Sequence, residues 1–299
     1  MVRIKRRIEG YYLVPLVIIA TIYAIHKIIS PLALKGLFLW IAGAFLVVLM
    51  TAFLLKLSSY VISYPLKKRI MAIHAFILDS FLHVYLLFFL APCNIIRWQY
   101  KGEGTPILLI HGYLHFAPVW LYHMRFYKKA GLGPIYTMNL NDPFSSIEHL
   151  SENVANKVKE IVKETGKDEI YIVGHSMGGL IGSYYAIHDA PKKEGVLKVI
   201  TLGSPFHGTK VANIAIGENA KEMRLNSPFV KALLKDIQKE KKIPFYNIGS
   251  KSDQLVIPQS SSFVVDKPER KLVLDGIGHV GLLFSSQAAN QVVNWVKEK

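Results

Sequence analysis

The chain of 299 residues has a single cysteine, Cys93. No disulfide can form within it, so its stability must come from a packed core. No cysteine and histidine spacing suits a zinc site, no segment repeats and none is of low complexity. Nor is there a helix-turn-helix signal or an aromatic platform set among basic residues. Nucleic acid is therefore excluded as a partner, although the formal net charge is +15. Acid is scarcest near the N-terminus. The first 92 residues hold ten Lys or Arg against two Asp or Glu, and the rest hold twenty-six against nineteen.

Charge of either sign is missing altogether from two long apolar runs. Leu37 to Leu55 is 19 residues without a charge, long enough to cross a hydrocarbon core. Tyr11 to Ile25 is also uncharged and continues past His26 and Lys27 to Ile29, where a lysine can snorkel to the interface. Spans over about 11–29 and 37–55 are expected. Arg3, Lys5, Arg6 and Arg7 precede the first without a small-residue cleavage pattern after it, which reads as an uncleaved anchor. A third apolar stretch, 70–91, contains His74, Asp79, Ser80 and His83. It is either an interfacial helix that docks the following domain on the bilayer or a third span, with Asp79 and His83 at i and i+4 able to pair. Cationic flanks stay on the cytoplasmic side. Arg3 to Arg7 and Lys56, Lys67, Lys68 and Arg69 both read as inside, so two spans put the remaining domain in the cytoplasm. The expected organisation is a membrane anchor over 1–92 and a second domain over 93–299.

Beyond about Gln99, short apolar runs alternate with helical patterns. Strands are expected at Pro106–Ile110, Ile135–Leu140, Ile170–Val173, Val199–Leu202, Phe245–Ile248 and Lys271–Leu274. Helices are expected at Ser151–Thr165, Met177–His188, Pro228–Lys239 and Ser285–Lys297. Such alternation predicts a mostly parallel sheet flanked by helices. Residues 211–242 exceed a simple crossover and are either a small lid or ordinary surface helices.

The most informative stretch is Gly174-His175-Ser176-Met177-Gly178-Gly179, between the apolar run 169–173 and a helical run from Leu180. A strand, tight turn and helix with serine at the apex present its Oγ above the sheet. Glycine two before and two after leaves room where strand and helix diverge. A serine hydroxyl needs a base and an oxyanion stabiliser to act as a nucleophile. Met177, at a helix N-terminus, offers one backbone N–H. The loop after the strand Ile107–Ile110, His111-Gly112-Tyr113, offers a second from Tyr113, with His111 shaping that loop through hydrogen bonds. A base is expected after the last strand, and Asp275-Gly276-Ile277-Gly278-His279-Val280-Gly281 supplies His279, with glycines that let the loop bend. An acid is expected between serine and histidine, just after a strand. Asp253 fits. Of its competitors, Asp236 lies in a helical pattern, Asp266 sits beside Lys267-Pro268, and Asp275 is close enough to His279 to cap the loop instead.

These pieces resemble the bacterial lipase and esterase group of α/β-hydrolases from about residue 104 onward. The resemblance is carried by His111-Gly112, the serine turn, Gly203-Ser204-Pro205-Phe206-His207-Gly208-Thr209, the Asp253 loop and Gly278-His279-Val280-Gly281-Leu282-Leu283. It implies an α/β-hydrolase fold; the N-terminal helical membrane anchor expected from the apolar runs departs from the secreted lipases of that group. It also implies Ser176, Asp253 and His279 as a catalytic triad and Tyr113 and Met177 as oxyanion donors. No redox cofactor is implied, and although some relatives bind a structural calcium, no ligand set for one is identified in this sequence. A carboxylic ester hydrolase acting on lipid or acylglycerol esters is expected, at the bacterial inner membrane with its catalytic domain in the cytoplasm. An acyltransferase or thioesterase on the same triad, or an inactive membrane scaffold, is the alternative.

Overall fold

A computed structural model describes residues 69–86, 98–190, 195–264 and 267–298. The expected spans at 11–29 and 37–55 lie outside the described residues, as do Cys93 and Asp266. Among the described residues no helix is long and apolar enough to cross a membrane.

Among the described residues seven strands form one sheet: β1 (Gln99–Tyr100), β2 (Ile107–Ile110), β3 (Ile135–Met138), β4 (Glu169–His175), β5 (Gly195–Leu202), β6 (Phe245–Ser250) and β7 (Lys271–Leu274), in the order β1-β3-β2-β4-β5-β6-β7. The short β1 pairs antiparallel with β3, and every other pairing is parallel. All six expected strands are present. β1 is the one not foreseen, because two residues carry no readable period.

Parallel strands covered on both faces are apolar throughout, and the pleat sorts their side chains. Leu108, Ile110 and Ile172 face one way, toward Ile147, Leu150, Val154, Val158 and Ile161 of helix α3 (Ile147–Thr165) and toward Leu180 and Ile181 of helix α4 (Met177–Tyr184). Ile107, Leu109 and Val173 face the other way. They meet Met124 of helix α2 (Leu121–Lys129) and Ala288, Val292 and Val296 of helix α7 (Ser286–Lys297). Trp120 and Trp295 are fully buried in this second layer.

Helix α3 starts four residues before the expected Ser151, because Ser146 accepts a hydrogen bond from the His149 amide and so caps an earlier turn. It ends at Gly166 in the left-handed conformation. Helix α4 widens after Tyr184 into a π-turn, Tyr185–Asp189. Residues 211–242 contain a short helix α5 (Glu218–Glu222) and helix α6 (Pro228–Lys239), the latter capped by Ser227.

The first helix among the described residues, α1 (Arg69–Tyr85), is 17 residues long there. Although its sequence belongs with the apolar N-terminal part, it packs against the turn Val280–Phe284 just after His279. Asp79 and His83, at i and i+4, both lie on this helix. Asp79 is fully buried and accepts a hydrogen bond from the Gly281 amide at 2.7 Å, while His83 Nδ1 lies 3.3 Å from the Asp79 backbone oxygen.

Candidate active site

Ser176 lies at the point where β4 gives way to α4. Its backbone has φ 55° and ψ −126°, a region that side-chain-bearing residues occupy only under strain and typically at functional sites. Neighbouring contacts hold it there, among them a 2.8 Å bond from its amide to Leu202 O. Gly174 is needed for the reason expected, since a Cβ on it would lie 2.5 Å from Cα of Gly179 on the departing helix. Gly178 is needed for a different one. Its Cβ would strike the backbone carbonyls of Ile110 and His111 at the end of β2 rather than the elbow's own strand.

That approach brings the β2 loop to the serine. Gly112 lies so near that a Cβ on it would be 2.8 Å from Ser176 Cβ, and Tyr113 follows directly. Met177 opens α4, whose dipole favours negative charge at this end. His111 shapes the loop as expected: it accepts from the Leu140 amide at Nε2 (3.3 Å) and so donates from Nδ1 to Gly112 O (2.9 Å). Burial lowers its pKa to about 4 against the opposing pull of the Gly112 bond, which keeps the ring neutral in that tautomer.

Asp253 and His279 meet after the last two strands. Asp253 Oδ2 lies 2.8 Å from His279 Nδ1, and both side chains are buried. The other carboxylate oxygen, Oδ1, accepts from the Leu255 and Val256 amides, each at 2.8 Å. Asp253 therefore has one oxygen fixed by backbone and the other aimed at the imidazole. Asp236 instead sits on α6 beside His188 and Lys239. Asp275 receives the Gly276 amide and the Ser252 hydroxyl, the loop-capping place expected for it.

The imidazole of His279 lies beside the elbow. His175, the residue before the serine, has its ring centroid 4.7 Å from that of His279 and approaches His279 O through Nε2 at 3.1 Å. A carbonyl only accepts, so this nitrogen carries the proton. Burial, reinforced by His279 and His115, holds the His175 pKa well below the usual histidine range. A second support comes from α2: His123 donates from Nε2 to Leu282 O (3.0 Å) and accepts from Tyr127 at Nδ1 (2.9 Å). Burial lowers its pKa to about 4 as well. His175 and His123 were not read as supports from sequence. His175 was in view inside the serine motif, whereas His123 acts on a residue 159 positions away and gives no local signal.

Over the site, the Tyr113 hydroxyl donates to Ile216 O (2.7 Å) and accepts from the Ile216 amide (3.2 Å), and its ring meets Phe144 edge-on. Leu114, Phe144, Ile214 and Ile216 are exposed on this side. Among the described residues no group of three His, Cys, Asp or Glu is placed to hold a metal ion.

Residues 105–226 match a family model described as the alpha/beta hydrolase fold. That match takes in Ser176 and ends before Asp253 and His279. A triacylglycerol lipase of Burkholderia plantarii is 26% identical over 132 residues, covering 41% of this chain and 36% of the relative. A pimeloyl-[acyl-carrier protein] methyl ester esterase of Vibrio parahaemolyticus is 25% identical over 177 residues, covering 58% of this chain and 65% of the relative. The chain thus spans between about a third and two thirds of these relatives' lengths. Among solved structures, the mature lipase BlEst2 of Bacillus licheniformis superposes with a TM-score of 0.56 at 16% identity, covering 67% of this chain and 97% of that one. Sheet order, serine elbow and sequence match agree, and the chain has the α/β-hydrolase fold, with lipases and esterases among its relatives.

Proposed function

We propose that the chain is a membrane-anchored serine hydrolase that cleaves carboxylic esters, lipid-derived esters above all, through an acyl-enzyme on Ser176. The observation that carries this reading is the buried Asp253–His279 hydrogen bond of 2.8 Å beside a serine held at φ 55°.

In this reading His279 takes the Ser176 proton through Nε2 as Oγ attacks the ester carbonyl. Asp253 holds the ring by Nδ1 and stabilises the imidazolium. The Tyr113 and Met177 amides receive the oxyanion. His279 then protonates the departing alcohol, the acyl group stays on Oγ, and a water activated by the same histidine releases the acid. The exposed residues Leu114, Phe144, Ile214 and Ile216 around the approach, and Ile73, Ile77, Leu78 and Phe81 on α1, favour an apolar substrate presented at a lipid surface. The two uncharged runs before α1 supply the anchor, and the basic flanks favour the cytoplasmic face of an inner membrane. No role is given to nucleic acid.

The test is turnover of p-nitrophenyl esters from short to long acyl chains by the detergent-solubilised protein, with Ser176→Ala in parallel. Serine-dependent turnover rising toward long chains is expected, with a loss of about 10⁴-fold or more in the variant. No ester turnover by correctly folded protein would move the reading to a specialised acyltransferase or to an inactive scaffold.

A further inference from the structure

The helix that precedes the sheet reaches into the site from behind. Asp79 lies on α1, a helix otherwise rich in apolar side chains, and is fully buried. A buried carboxylate is costly unless it is hydrogen-bonded. Asp79 Oδ1 accepts from the Gly281 amide, 202 residues along the chain, at 2.7 Å. Gly281 stands two residues after His279, in the first turn of Val280–Phe284, whose N-cap is His279 itself and lacks a side-chain cap bond.

The flanking glycines fit the same purpose. A Cβ on Gly278 would lie 2.5 Å from Asp79 Cγ and Oδ1, so this glycine is the space that the carboxylate needs. Gly278 is absent from the positive-φ positions, whereas Gly276 has φ 71°. The bend expected from glycines around His279 therefore comes from Gly276, and Gly278 serves the approach of α1.

Several side chains hold the backbone that carries His279, among them Ser250 on Ile277 O and Gln254 on the His279 amide. His175 holds its own carbonyl, His123 holds Leu282 O, and Asp79 holds the Gly281 amide. Asp253 fixes only the turn of the ring about Nδ1. The height of the ring above the serine is set by the backbone.

We propose that Asp79 is a positioning residue for His279, so that the helix leading out of the N-terminal segment is part of the catalytic apparatus. This rests on His279 acting as the base proposed above. Removing the acceptor frees the 280–284 turn and lets the imidazole move away from Ser176, without touching the surfaces that bind substrate.

The experiment compares wild type, Asp79→Ala and Asp79→Asn in the full-length, detergent-solubilised protein. It reads kcat and KM on a p-nitrophenyl ester, the thermal midpoint, and the downfield proton NMR signal of the His279–Asp253 hydrogen bond. Asp79→Ala is expected to lower kcat about 10- to 100-fold, the cost of a small misplacement of a reacting group, with KM within about twofold because ground-state binding is retained. Its downfield proton is expected to shift or to exchange away, at temperatures well below the thermal midpoint. Asp79→Asn keeps an oxygen acceptor but loses the charge, and an intermediate loss of about threefold is expected.

A folded Asp79→Ala with kcat within twofold of wild type and an unmoved downfield proton would overturn the proposal. So would a fall in kcat that tracks only the folded fraction. If the alanine variant does not fold, the asparagine variant decides: a lowered kcat at constant KM with a shifted proton supports the proposal, and no change in either overturns it. Should wild type itself show no serine-dependent turnover, the ester-hydrolase reading fails instead. The NMR signal then still decides whether Asp79 orders His279.

Discussion

Asp253 uses both carboxylate oxygens. Oδ1 takes the Leu255 and Val256 amides and Oδ2 takes His279 Nδ1. An asparagine at this position would satisfy one set of donors but not both with the proton on His279 Nδ1. To keep the two amides, its oxygen must stay at the Oδ1 place, which turns the NH2 group toward the imidazole and forces the proton onto Nε2. That nitrogen is the one needed to accept from Ser176. Asp253→Asn is therefore expected to keep KM and the fold while kcat falls by about 10⁴-fold, measured by ester turnover at neutral pH. A fall of less than tenfold would remove Asp253 from the role proposed for it. At this scale much was legible in the sequence, because each reactive residue stands beside a local marker. Ser176 has its glycines, Asp253 and His279 each follow a strand, and Asp275 is close enough to cap its own loop. Asp79 and His123 had no such marker, since their partners Gly281 and Leu282 are brought to them only by the fold.

Elements are joined by buried neutral histidines, and these make the assembly sensitive to acid. His111 links the end of β2 to Leu140 beyond β3, and His123 links α2 to the turn after His279. Burial lowers the pKa of each from 6.5 to about 4. Above 6.5 neither the folded nor the unfolded state binds the proton, and these groups leave stability unchanged. Between 6.5 and about 4 the unfolded chain takes up protons that the folded one refuses, so stability falls as pH falls. Each group contributes on the order of 3 kcal/mol of loss by pH 4, at about 1.4 kcal/mol per pH unit. His115 and His175 are lowered in the same direction, chiefly by burial, and steepen the loss. The thermal midpoint is expected to be flat from pH 8 to 7 and to drop steadily below 6.5. In His123→Asn the plateau is expected to be lower and the acid limb shallower, and an acid limb of unchanged slope would count against this assignment. The strands were readable because runs such as 107–110 and 170–173 are apolar on both faces. Helix α2 was not. Its apolar positions are interrupted by His123 and Lys128, and Tyr127 and His123 satisfy each other only once buried. The start of α3 was missed by four residues although its cap, Ser146, stood in the sequence.

At the scale of the whole molecule, α1 bears on the two topologies that the sequence left open. A third span would need the stretch 70–91 to be surrounded by lipid across about 30 Å. Helix α1 lies in that stretch. One side of it is taken up by protein, with Asp79 bonded to Gly281 and Ala75 and Val84 buried. Its other side exposes Ile73, Ile77, Leu78 and Phe81. One face docked and one face apolar suit a helix lying along a bilayer surface better than one crossing it. We propose on this ground two spans, with the basic groups Arg3 to Arg7 and Lys67 to Arg69 on the same side, the side on which cationic flanks are retained, the cytoplasm. A reporter fused after Lys299 should therefore be fluorescent if it matures in the cytoplasm, and inactive if it is a phosphatase that matures only outside. Moving Lys67, Lys68 and Arg69 to glutamine should weaken that preference, since the charge asymmetry sets orientation. An active external phosphatase on the unaltered chain would require a third crossing, and α1 would then have to leave the His279 turn. The Asp79 variants would report that as well, by losing their effect on kcat.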